Sequence, residues 1–187
     1  MILPILAYGD PKLKKKAVPI DRDHPGLEEL INNMWETMYN AQGVGLAAPQ
    51  VGHSIRLFII DANPFAEDHP ELKDFKKVFI NAEIIAETGK EWLFNEGCLS
   101  FPELREDINR KPTIVMRYQD ENFEPHEETF SGMAARIIQH EYDHIDGILM
   151  VDRISALKRR LIRKKLTNIS KGVVNPGYLM KFPLKKR

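Results

Sequence analysis

Apolar positions divide the chain into helical and extended stretches. Leu27, Leu30, Ile31, Met34 and Met38 recur at helical spacing and predict an amphipathic helix over residues 26–41. Gln42-Gly43 is a plausible stop. The segment GVGLAAPQVG, residues 43–52, is too rich in glycine and small side chains to predict a regular element. RLFIID (56–61) and KVFINAEII (77–85) read as strands, the first of them buried. The polar stretch 63–76, with Pro64 and Pro70, reads as a surface loop. TIVMRY (113–118) and FEPHEETF (123–130) flank the turn QDEN and predict a hairpin. Pro125 places the second of these strands at an edge.

A second helix is predicted from Ser131 or Gly132 to Asp146, just before Gly147. A third covers residues 155–170, with Leu157, Leu161, Leu166 and Ile169 as its apolar stripe. The order helix, strands, two helices predicts an α+β fold with a mainly antiparallel sheet, not a repeating β-α-β fold. The chain has 187 residues and no internal repeat, so one domain is expected over residues 1–187.

Composition narrows the setting. Hydrophobic content of 43% and charged content of 29% are those of an ordinary soluble domain. No run reaches the ~18 apolar residues that a membrane span requires. The N-terminal apolar stretch is short, contains Pro4 and precedes its lysines, the reverse of a signal peptide. A cytoplasmic, unprocessed chain is expected. Cys98 stands alone, which excludes a disulfide within the chain. The formal net charge of zero conceals an asymmetry: no Asp or Glu follows Asp152, while bases run from Arg153 to Arg187. A basic C-terminal region, residues 153–187, points to an anionic partner.

The candidate chemistry lies in the second helix. In HEYDH, His140 and His144 fall ~40° apart around a helix, so both imidazoles can reach one ion. Glu141 is placed to handle protons for water activated there. Downstream there is no further His or Glu to complete a protease-type ligand set, although Asp146 or Asp152 stand nearby. The third ligand is therefore sought upstream. Cys98, in NEGCLS beside the permissive Gly97, is the strongest candidate, and His53 stays open.

Three segments together resemble the signature motifs of the peptide deformylase family: GVGLAAPQVG (43–52), EGCLS (96–100) and HEYDH (140–144). The opening ILAYGDPKL is similar to that family's N-terminus, and the likeness extends to about Asp152. It implies an α+β fold with antiparallel strands around a central metal helix. It implies removal of the N-formyl group from formyl-methionine of new polypeptides, by a ferrous site that zinc, nickel or cobalt can also occupy. Cys98, His140 and His144 would be the ligands and Glu141 the general acid and base. The Gln50 side-chain amide and the Leu99 N–H would donate to the formyl oxygen. Val44 and Gly45 would pair with the extended substrate, and Val44, Leu99 and Ile137 would line its methionine pocket. Arg105 would stand near the mouth. Glu96 would support the ligands with Arg110 as its ion-pair partner. Asp143 belongs to the motif without an evident task. Arg136, one turn before His140, stands where a small apolar pocket calls for an aliphatic residue.

Ribosomal RNA contact through the basic C-terminal helix is the expected partner interaction, in a monomer. Two other readings compete: a metallopeptidase cutting internal bonds, and an RNA- or ribosome-binding protein with a structural metal.

Overall fold

The computed structural model describes residues 1–184. The basic residues Lys185, Lys186 and Arg187 lie outside the described residues. In chain order the first elements are β1 (Ile5–Leu6), α1 (Leu27–Asn40), β2 (Gly45–Ala47), β3 (Leu57–Asp61) and β4 (Lys76–Thr88). There follow β5 (Trp92–Gly97), β6 (Arg105–Arg110), β7 (Thr113–Gln119), β8 (Pro125–Ser131) and α2 (Gly132–Ile145). The chain continues through α3 (Ala156–Leu161) and α4 (Arg163–Lys171) to β9 (Met180–Lys181).

A five-stranded antiparallel sheet, in the order β2-β3-β4-β7-β8, separates the two long helices. Strand β3 shows why its sequence is apolar throughout. Leu57 and Ile59 pack with the apolar face of α1, whereas Phe58 and Ile60 pack with α2 on the other side. A strand covered on both faces has no polar positions to alternate. β8 is the sheet edge, where Pro125 costs no ladder bond.

Helix α2 is buried nearly all round, and that burial takes in Arg136, Gln139, Glu141, Asp143 and His144. It ends in a glycine cap. The Ile148 N–H bonds the Asp143 carbonyl at 2.8 Å and the Gly147 N–H bonds the His144 carbonyl at 3.2 Å, with Gly147 at φ 73°.

Several expectations are corrected. The segment 43–52 does hold regular structure: β2, then a 3-10 turn over Ala48–Val51. Residues 63–76 hold two 3-10 turns, with Leu72 in the core. The third helix is broken at Ile162 into α3 and α4, and only its second half uses the predicted stripe: Leu166 and Ile169 are buried, but Leu157 and Leu161 are exposed. β6, unforeseen, pairs with β5 in a separate two-stranded sheet. Its inward positions are Glu106, Ile108 and Arg110, so two of three buried side chains are charged. β9, also unforeseen, returns to pair in parallel with β1.

Candidate metal centre

Three elements meet at one end of α2. The helix contributes His140, Glu141 and His144; the turn after β5 contributes Cys98 and Leu99; the 3-10 turn after β2 contributes Gln50. The candidate ligand atoms of Cys98, His140 and His144 all lie within 4.8 Å of one another. His144 Nε2 stands 3.3 Å from Cys98 Sγ. His53 is exposed and takes no part in this group.

A thiol and two imidazoles suit a divalent transition metal and leave a fourth position for a reactant. The electrostatics agree. Burial, helped by His140 and Arg110, holds His144 well below its usual pKa, so its ring is neutral with a lone pair to offer. Burial also opposes charge on His140, but Cys98 and Glu96 outweigh it and raise that pKa well above 6.5. The space between thiol and carboxylate thus favours positive charge. The residues present fit the metal.

Glu96 organises this corner. Its Oε1 accepts from Arg110 Nε at 2.7 Å and Arg136 at 2.6 Å; its Oε2 accepts from Arg110 at 2.9 Å and faces His140 Nδ1 at 2.9 Å. With Nδ1 so engaged, His140 presents Nε2 to the ligand group. Burial acts to raise the Glu96 pKa, but His140 and Arg110 outweigh it and keep the carboxylate ionised. Asp143 now has a task. It accepts from Arg110 at 2.8 Å and from Arg153, so it anchors the far side of the guanidinium that holds Glu96. Arg136 is buried and still borders the cavity, its guanidinium engaged rather than free. Besides Glu96 it donates to the carbonyls of Ile108 and Trp92, with its guanidinium 4.1 Å from the Trp92 ring centre.

Glu141 is buried, its Oε2 meets no hydrogen-bonding partner among the described residues, and burial pushes its pKa up to about 7. Gly45 lies directly against this carboxylate. Gln50 is buried too. Its Oε1 accepts from the Ala47 N–H at 2.9 Å, which turns Nε2 toward Ser100 Oγ at 3.2 Å and Cys98 Sγ at 3.7 Å.

A cavity of about 560 Å³ opens over these groups. Val44, Gly45, Leu99, Arg105 and Ile137 are among the residues that line it. Arg105 is tethered at the mouth by Asn95, through Nε at 2.9 Å. The sequence reading missed Phe65, Phe94, Met133 and Tyr178, which also line the cavity. Met133 is one turn before Ile137 and was findable from helical spacing. Phe94 stands two positions before Glu96 on the same face of β5 and was findable from strand alternation; Phe65 and Tyr178 come from distant segments, with no local signal.

A model of the polypeptide deformylase family matches residues 2–160. The chain is 63% identical to a peptide deformylase of Christiangramia forsetii, over 100% of this chain and 99% of that relative. It is 56% identical to one of Flavobacterium johnsoniae, again over 100% and 99%. Among solved structures, a peptide deformylase from Legionella pneumophila superposes with a TM-score of 0.78 at 41% identity, covering 90% of this chain and 95% of that one. Motifs, ligand geometry, fold and full-length similarity agree, and the chain belongs to the polypeptide deformylase family.

Proposed function

We propose that Cys98, His140 and His144 hold a ferrous ion and that Glu141 moves the protons of the deformylation reaction. Family membership makes the reaction hydrolytic removal of the N-terminal formyl group from new polypeptides, with release of formate. The metallopeptidase and structural-metal readings are not favoured. The observation that carries the assignment of roles is the convergence of the thiol and both imidazoles beside a buried, unpartnered carboxylate.

A divalent ion bound here supplies Lewis-acid chemistry and lets water act as a nucleophile near neutral pH. The chain's own residues do the rest. Glu141 takes a proton as water attacks the formyl carbon and delivers it to the departing amine; a carboxyl with a pKa near 7 suits both steps. Gln50 Nε2 and the Leu99 N–H donate to the formyl oxygen as negative charge develops there. Gln50 is held for this by its Oε1 bond to Ala47, so little reorganisation is required. Val44 and Gly45 pair with the extended peptide, Ile137 contacts its first side chain, and Arg105 stands at the mouth. Glu96, clamped by Arg110, whose far side Asp143 anchors, orients His140.

Protein purified without oxygen tests this reading by its bound metal and by formate release from a formyl-Met-peptide, against acetylated and unblocked peptides. Absence of formate release from protein carrying stoichiometric metal would overturn it. Ferrous iron beside a thiolate loses activity in air; activity stable in air assigns zinc or nickel instead.

The enzyme is read as a cytoplasmic monomer; no helix among the described residues is long and apolar enough to cross a membrane. Its basic C-terminal region is read as a contact for ribosomal RNA. Part of that charge serves the fold, since Arg153, Lys158 and Arg159 pair with Asp143, Glu106 and Asp152. Arg160, Arg163, Lys164 and Lys165 are exposed and have no ion-pair partner among the described residues. Reversing those four charges should abolish co-sedimentation with ribosomes at low salt; unchanged co-sedimentation removes the proposal.

A further inference from the structure

The C-terminal segment beyond α4 lies outside the stretch matched by the family model, yet it reaches the cavity. It returns across the molecule as a strap. The Asn175 N–H bonds Glu103 Oε1 at 3.2 Å, and β9 pairs with β1. The Ile5 N–H bonds the Leu179 carbonyl and the Ala7 N–H bonds the Lys181 carbonyl, both at 3.0 Å. Between these anchors stands Tyr178. Its hydroxyl donates to the Leu99 carbonyl at 2.8 Å, and its ring packs in the same apolar cluster as Leu99 while lining the cavity. Burial, reinforced by Cys98, raises the Tyr178 pKa, so the hydroxyl keeps its proton and acts as a donor.

The partner strand acts on the next residue. The Tyr8 N–H bonds the Ser100 carbonyl at 2.9 Å, and the Ser100 hydroxyl receives Gln50 Nε2 at 3.2 Å. The turn that carries Cys98 and Leu99 is therefore gripped at consecutive carbonyls by the residues just before β9 and just after β1, two strands that also bind each other. The turn is closed by the Phe101 N–H on the Cys98 carbonyl at 2.8 Å, which holds the peptide that carries the Leu99 N–H. The Tyr178 bond holds the following peptide, Leu99–Ser100, by its carbonyl, so Leu99 is anchored on both sides.

We propose that Tyr178 is a positioning residue for deformylation: its hydroxyl holds the Leu99 carbonyl, and with it the turn that presents the Leu99 N–H, and its ring forms a wall of the substrate cavity. The proposal rests on the reading of Leu99 as a donor to the formyl oxygen. A donor must be aimed before charge develops, because small misplacements are costly.

The test uses the metal-loaded full-length protein with Y178F and Y178A, and wild type in the same assay. Y178F keeps the ring and loses only the hydroxyl. It should lower kcat for a formyl-Met-peptide roughly tenfold with KM within about twofold, the pattern of a lost transition-state contact. Bound metal should equal wild type. Amide hydrogen exchange should quicken in residues 97–101 and stay unchanged in α2. Y178A should raise KM as well, since the wall is lost. A kcat for Y178F within twofold of wild type overturns the proposal, whatever happens to Tm. Reduced kcat without faster exchange at 97–101 also overturns it. Failure of the deformylase reading itself would show separately, as no formate release by wild type.

Discussion

A Cβ on Gly45 would collide with Oε1 of Glu141 and sit 2.7 Å from its carboxyl carbon. Glycine at this strand position is thus a condition of the proposed base being where it is. Gly45→Ala pushes the Glu141 carboxylate off its place while leaving the three candidate ligands untouched. We expect kcat to fall about 100-fold, the scale of an ångström-sized misplacement. Metal analysis should give the wild-type content, which separates this loss from a ligand defect.

Cys98→Ala removes the thiol of the ligand group and leaves two imidazoles. The protein should fold, since Cys98 only borders its apolar cluster. Metal content measured after dialysis should fall to a small fraction of wild type, with deformylase activity falling in parallel.

Glu96→Gln keeps the shape and removes the charge that Arg110, Arg136 and His140 share. Metal affinity, read by chelator competition, should drop by roughly 10- to 100-fold, as for other losses of a carboxylate behind a ligating histidine. Arg110 is 2% exposed and would keep only Asp143 as an anionic partner. Breaking a buried pair of this kind costs about 3 kcal/mol, so the metal-free variant should also show a lower Tm.

Gly147→Ala strikes the end of the metal helix from outside the site. The position has φ 73°, and a Cβ would meet the Lys14 carbonyl oxygen at 2.6 Å. The left-handed backbone alone costs about 1–2 kcal/mol in a residue with a side chain. The unfolding free energy from chemical denaturation should fall by at least that much, while kcat at low temperature stays near wild type.

Asp152 links the first turn of the chain to the C-terminal helices through Lys14 and Arg159, and caps the Leu149 N–H at 2.8 Å. Burial acts to raise its pKa, but Lys14, the Leu149 N–H and Arg159 outweigh it and hold it below 3.8. A depressed carboxylate stabilises the fold above its unfolded value and loses that contribution as pH falls through the folded one. Asp152→Asn should therefore lower Tm at neutral pH. The gap from wild type should persist down to about pH 3.8 and shrink below it, by thermal melts at a series of pH values.

The sequence showed α1, β3, β4 and β7 by their apolar patterns, β8 by the turn before it, and α2, despite its buried charges, between Ser131 and the cap at Gly147. It hid β6, because the inward face of that strand is Glu106, Ile108 and Arg110 and so lacks hydrophobic alternation. Those buried charges are the ones that hold the C-terminal helices and Glu96, through the Lys158–Glu106 and Arg110–Glu96 pairs. The candidate metal group was legible because helical spacing fixes His140 against His144, and because residues that could complete a downstream ligand set were missing. The task of Asp143 was not legible, since Arg110 and Arg153 reach it from other segments. Tyr178 was hidden for the same reason. Its partner Leu99 is 79 positions away along the chain.

The pairing of Ile5 with Met180 has a consequence for how the enzyme matures. Contacts between such distant positions close the longest loop in the fold and are slow to form. The helices and the five-stranded sheet rest on nearer neighbours and can be in place first. On refolding from denaturant, helical circular dichroism should recover before deformylase activity. The lag should report the moment at which the strap closes behind the Cys98 turn.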